Sequence, residues 1–168
     1  MANAREILSR MKSVQDTRKI TNAMYLISST KLKKSKKLLE ETEPYFYTLQ
    51  DLIRRILRHM PDVEHFYFNP RKEIKEEDRI KGLIVITGDK GLAGAYNHNV
   101  LKMAQEWMEQ SKNHRLYVVG ELGRHYFEAR HIQVEEQFHY TVQNPTMHRA
   151  RLISSTILED YEEGRLDE

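Results

Sequence analysis

The residues best placed for chemistry lie in the segment Ile86-Thr-Gly-Asp-Lys-Gly-Leu-Ala-Gly-Ala-Tyr-Asn97, where Gly88, Gly91 and Gly94 recur at every third position. Glycines at a strand-to-helix turn allow positive φ and close backbone approach. Such a turn can hold an anion at a helix N-terminus, so nucleotide binding is one reading of it. The spacing, however, is neither GxGxxG nor the Walker pattern, and no Lys-Ser or Lys-Thr follows the last glycine. Glu121, further along, imitates an acid that holds a ribose, but an acidic residue in such a loop is common. The plainer reading makes Gly88, Asp89, Gly91 and Gly94 a structural turn that packs a helix against a strand.

Other chemistry finds less support. Lys31, Lys33, Lys34, Lys36 and Lys37 form a dense basic patch. It can be a solvated face, or it can meet nucleic acid, an anionic membrane or acidic protein loops. No aromatic residue nearby is placed for base stacking, which counts against nucleic acid. His98, His114, His125, His131, His139 and His148 are scattered without metal-ligand spacing and read as surface residues. There is no GxSxG elbow for serine chemistry. The absence of cysteine excludes disulfides, thiolate metal sites and cysteine nucleophiles, and it fits a reducing compartment.

These residues must be positioned by elements that the patterning makes plain. Apolar residues make up 39% of the 168 and charged residues 31%, a modest core with a high polar share. Lys and Arg number 27 against 25 for Asp and Glu, so any charge argument is local. No apolar run approaches the roughly 18 residues of a membrane span, and the start lacks a signal-peptide core. The chain reads as cytosolic, able to sit against a membrane complex.

Residues 1–60 lack glycine and are dominated by strong helix formers. The spacing predicts one long helix over 3–60, kinked or interrupted near Pro44. Ala4, Ile7, Met11 and Val14 step by 3 and 4, as do Ile20, Met24 and Ile27. Leu49, Leu52, Ile53, Ile56, Leu57 and Met60 form a third stripe. A helix this long suggests a coiled coil or a rod bridging partners. Residues 61–79 read as a linker, with Glu73, Glu76, Glu77 and Asp78 as a solvated acidic stretch.

From residue 80 the period changes. Gly82–Thr87 and Leu116–Val119 read as buried parallel strands, and a third strand is predicted over Ile132–Phe138. Helices are predicted from Leu92 to Met108, from Glu121 to Arg130, and from after Asn144-Pro145 to about Glu163, with Gly164 as a left-handed cap. The expected fold class is therefore α/β, a long N-terminal coiled-coil helix followed by a small, incomplete parallel-sheet domain over 80–168. Three strands are few, and a parallel strand should follow the last helix, so the sequence reads as part of a longer chain.

Two stretches carry a resemblance. The first joins Arg5-Glu-Ile, Val14-Gln-Asp-Thr-Arg-Lys-Ile-Thr-Asn-Ala-Met24 and Lys31-Leu-Lys33; the second is Thr87-Gly-Asp-Lys-Gly-Leu-Ala-Gly94 with Asn97. Both resemble signatures of the gamma subunit family of F-type ATP synthases, as do Asn144-Pro145 and Tyr161-Glu-Glu-Gly-Arg-Leu166. The resemblance covers essentially the whole sequence. It implies a non-catalytic rotor part that binds no cofactor. It further implies that the long helix is one strand of an antiparallel coiled-coil axle inside a ring of alpha and beta subunits, and that the α/β domain lies near the epsilon subunit and the c-ring.

Ile20, Met24 and Ile27, with Lys31, Lys33 and Lys34, would then be partner contacts, Met24 close to a beta-subunit loop. The expected location is the cytoplasmic side of the bacterial membrane, as a peripheral protein coupling proton flow to ATP synthesis. The family's chain continues for roughly another hundred residues, and a lone first helix is expected to self-associate or fray. A small nucleotide-binding domain and a helical nucleic-acid adaptor remain the competing functions.

Overall fold

A computed structural model describes residues 4–60, 65–67, 71, 73–134, 138, 142 and 145–168. The chain divides into two compact units, Met1–Val63 and Glu64–Glu168.

The first unit is helix α1 (Ala4–His59), 56 residues long with none buried. At ~1.5 Å rise per residue it is about 84 Å long. Its composition explains its continuity, because between Ala4 and His59 no glycine interrupts strong helix formers. Pro44 lies inside it without a break, which corrects the expected interruption. Proline removes one N–H from the ladder, here the donor that would reach Glu40, and the flanking turns supply enough bonds to carry the helix through. Exposed threonines bond back one turn: Thr17 to the Ser13 carbonyl, Thr21 to Thr17, Thr30 to Leu26, Thr42 to Leu38 and Thr48 to Pro44. Asp16–Lys19, Lys37–Glu41 and Asp51–Arg54 add exposed ion pairs, each worth at most about 0.5 kcal/mol.

The second unit is the small α/β body. Strands β1 (Lys81–Ile86) and β2 (His114–Val119) pair in parallel, with Leu83 opposite Leu116 and Val85 opposite Val118. Helix α2 (Tyr96–Gln110) makes the crossover between them. Helices α3 (Glu121–Glu128) and α4 (Met147–Glu162) follow. A single 3-10 turn, Glu76–Asp78, precedes β1.

The strand alternation sorts the core into two faces. On one, Val85, Leu116 and Val118 pack with Leu101, Ala104 and Met108 of α2 and Phe127 of α3. On the other, Tyr117 and Val119 pack with Phe138 and Leu166 and with Ile153, Ile157 and Tyr161 of α4. Ile84 and Ile86, on that second face, remain about half exposed.

Fold class thus follows the expectation: a long N-terminal helix, then a small parallel-sheet α/β body. Two details differ. No strand forms over 132–134, and the sheet has two strands among the described residues. Instead the Ile132 amide bonds the Phe127 carbonyl, and His131 takes a positive φ of 57°, so the chain turns back on the end of α3. Ile132 and Val134 alternate because they plug the edge of the core, not because they join a ladder. Residues 135–137 of that expected strand lie outside the described residues. Leu92 is 94% exposed with φ 64°, so α2 begins at Tyr96. Helix α4 starts at Met147, its N-cap Thr146 accepting from the Arg149 amide, and Gly164 supplies the left-handed end at φ 77°; Asn144 lies outside the described residues.

Candidate functional site

Two places carry the candidate residues, the surface of α1 and the glycine turn after β1. On α1, Ile20, Met24 and Ile27 are 62%, 50% and 58% exposed, although a helix stripe of this kind normally faces a core. Lys31 lies about three turns beyond Ile20 and Lys34 about four, so both continue that face, whereas Lys33 projects from roughly the opposite side. All three lysines are exposed. The helix therefore offers one face that starts apolar and becomes basic within a few turns. Ile7, Met11 and Val14, also exposed, line a shallow groove with Arg10 and Gln15.

The glycine turn is built as a cap. Helix α3 begins with backbone N–H groups that have no partner inside the helix. The Glu121 amide donates to Asp89 Oδ1 at 3.1 Å, the Leu122 amide to the Gly88 carbonyl at 3.2 Å, and the Gly123 amide to Thr87 Oγ1 at 2.9 Å. Three consecutive residues of the turn thus satisfy three consecutive donors of α3. The Gly88 amide in turn donates to Asn97 Oδ1 at 2.8 Å, tying the turn to the first residues of α2. An acidic side chain, Asp89, thus lies at the N-terminus of α3, where the helix dipole favours it. Its other oxygen, Oδ2, is buried without a hydrogen-bond partner. The arrangement joins β1, α2 and α3, and the first three donors of α3 are bonded within the protein.

Gly94 has φ 58°, the left-handed region, whereas Gly91 has open space around it. Sequence reasoning missed three participants. Thr87 is 1% exposed, and its hydroxyl also contacts the Val119 and Gly120 carbonyls at 3.3 Å. Gly120, at φ 107°, lets the chain pass so close that an added Cβ would lie 2.2 Å from the Thr87 carbonyl oxygen. At Gly123 an added Cβ would lie 2.8 Å from Thr87 Oγ1 and from Val118. The Gly120-Glu-Leu-Gly123 spacing directly after a buried strand was the available signal.

Glu121, the residue that imitated a ribose-binding acid, is buried and held by Arg124, whose Nη2 lies 2.8 Å from its carboxylate. That hydrogen bond raises the guanidinium pKa. Among the described residues no group of His, Asp and Glu is arranged to hold a metal ion. His98, His125, His131 and His148 are exposed and His114 is half-buried; His139 lies outside the described residues.

A family model described as ATP synthase matches residues 3–168. Over its full length the chain is 45% identical to the ATP synthase gamma chain of Acetivibrio thermocellus. The chain belongs to the ATP synthase gamma family. Ruminiclostridium cellulolyticum has another gamma chain, 46% identical over 99% of this one and 56% of its own length. The gamma chain of Acetobacterium woodii, whose name specifies sodium ions, is 35% identical over 99% of this chain and 53% of its own. The chain spans about half the length of the gamma-family relatives it matches. Among the described residues, no helix is long and apolar enough to cross a membrane.

Proposed function

We propose that the chain serves as a rotor part of the central stalk of an F-type ATP synthase, a non-catalytic subunit that couples ion-driven rotation to ATP synthesis at the beta subunits. The observation that carries this reading is α1: a 56-residue helix without one buried residue, in a member of the gamma family. A helix with its apolar stripe exposed throughout gains most of its stability from a partner packed along that stripe. Burying a half-exposed Ile or Met there contributes about 1 kcal/mol or more, and a dozen such residues would hold a stiff coiled coil.

In this role α1 is one strand of an antiparallel axle. Ile20, Met24 and Ile27 take the seam or the near-ring contacts, while Lys31, Lys33 and Lys34 face polar or acidic loops of the alpha and beta subunits. Scattered exposed charge outside the seam suits a sliding surface, because a buried charge pair with a stator would hold the shaft at one angle. The α/β body would meet the epsilon subunit and the c-ring, on the cytoplasmic side of the bacterial membrane and peripheral to it. Gly88, Asp89, Gly91 and Gly94 then act as the structural turn that keeps that body rigid.

We take the coupling ion to be the proton. The sodium-specific name of one relative makes the choice testable: ATP-driven acidification of inverted vesicles supports protons, and ATP-driven sodium uptake opposes them. The rotor role itself is tested with Met24→Lys in the assembled complex. Coupled turnover should fall severalfold while assembly is retained; unchanged coupling would count against it.

A further inference from the structure

The stretch expected to be a linker is pinned to the α/β body well before β1. The guanidinium of Arg71 places Nη1 2.8 Å from Asp167 Oδ1 and donates from Nη2 to the Tyr161 carbonyl. It also lies over the Tyr161 ring, 5.2 Å from the centroid, and 5.9 Å from that of Phe66. Phe66 meets Tyr161 edge-on at 5.0 Å, and the Tyr161 hydroxyl donates to the Phe66 carbonyl at 3.2 Å. The Tyr67 hydroxyl donates to Glu162, a bond that raises the phenol pKa.

Asp167 relays the connection. Its side chain is buried; Oδ2 accepts from the Ile80 amide at 2.9 Å, and its own amide donates to the Ile80 carbonyl at 2.8 Å. Ile80 immediately precedes β1. The covalent route between the same points offers less. The 3-10 turn Glu76–Asp78 has no buried residue, its amide bond, Asp78 to Lys75, is local, and it is tied to the body by the exposed bond from Asn113 Nδ2 to the Asp78 carbonyl at 3.2 Å.

We infer that Arg71 is a clasp that makes Phe66, Tyr67 and Arg71 part of the α/β body, so that torque entering at Phe66 reaches β1 through the Arg71–Asp167–Ile80 chain, bypassing residues 72–79. The mechanical half of this inference rests on the rotor reading; the clasp itself does not. A guanidinium that donates to two separate acceptors, with aromatic faces beside it, is a stiff, directional contact, which a lysine does not reproduce.

Two measurements separate the halves. Hydrogen exchange on the chain by itself reads the clasp: Arg71→Leu should speed exchange at the Asp167 and Gly82 amides about tenfold or more, and Arg71→Lys by less. Unchanged exchange in both variants overturns the clasp. In the assembled synthase, a Gly-Ser insertion between Ile74 and Lys75 tests the bypass. The insertion alone should leave coupled turnover near wild type, Arg71→Lys should lower it severalfold, and the two together should lower it further. An insertion that uncouples as strongly as Arg71→Lys overturns the bypass. Accelerated exchange in a chain that joins no alpha–beta complex supports the clasp and overturns the mechanical half together with the rotor reading.

Discussion

The hydroxyl of Tyr117, in β2, donates to the carboxylate of Asp160, in α4, and both side chains are buried. Arg165 Nε donates to the same carboxylate at 2.7 Å, and Arg115 lies 3.4 Å from it. Burial alone would push the Asp160 carboxyl up. The hydrogen bonds from Tyr117 and Arg165 and the charge of Arg115 outweigh it, and the pKa is lowered. A carboxylate whose folded pKa is depressed contributes stability above its unfolded pKa, about 3.9, and loses that contribution as pH falls through the folded value. Asp160→Asn should therefore cost about 2 kcal/mol at neutral pH. The gap to wild type should narrow below about pH 4. Urea denaturation of both proteins across that range checks it, and a gap independent of pH would contradict it.

Gly120 and Gly91 should respond to alanine in opposite ways. Gly120→Ala sets a Cβ against the Thr87 carbonyl at φ 107° and should cost about 3 kcal/mol or more. Gly91→Ala meets nothing within 4 Å and should stay within about 0.5 kcal/mol of wild type. Thermal or denaturant unfolding distinguishes them. Equal effects would show that the close β1–β2 approach to α3 is not what fixes this region.

The chain studied alone should self-associate through α1, because its apolar stripe is exposed and packing along such a face supplies most helical stability. Far-ultraviolet circular dichroism should show helix content rising with protein concentration. Ile20→Ser with Ile27→Ser should shift that rise to at least about tenfold higher concentration. Sedimentation as a monomer with full helicity at low micromolar concentration would refute the stripe as an association face.

What could be read from the sequence was what a single element or a single residue type determines. The length of α1 follows from composition alone, and Pro44 misled because one missing ladder bond is a small loss within so many. The strand cores at Leu83–Ile86 and Leu116–Val119 announced themselves by β-branched, apolar runs. Over the described residues 132–134 no strand forms, because Ile132 and Val134 alternate for a reason periodicity cannot distinguish, a turn off the end of α3. At the glycine turn, the glycines were legible but their purpose was not. It depends on Glu121, Leu122 and Gly123 arriving from another element to be capped by Thr87, Gly88 and Asp89. Arg71 was invisible for the same reason: Asp167 lies 96 positions away.

Deletion of the chain in its host, with ATP-driven ion transport read in inverted membrane vesicles, tests the rotor role most directly. Vesicles without it should lose transport, and an affinity-tagged copy should restore it and bring alpha and beta subunits down in stoichiometric amounts. Vesicles that transport normally without the chain, or a purified chain that hydrolyses ATP by itself, would contradict the role.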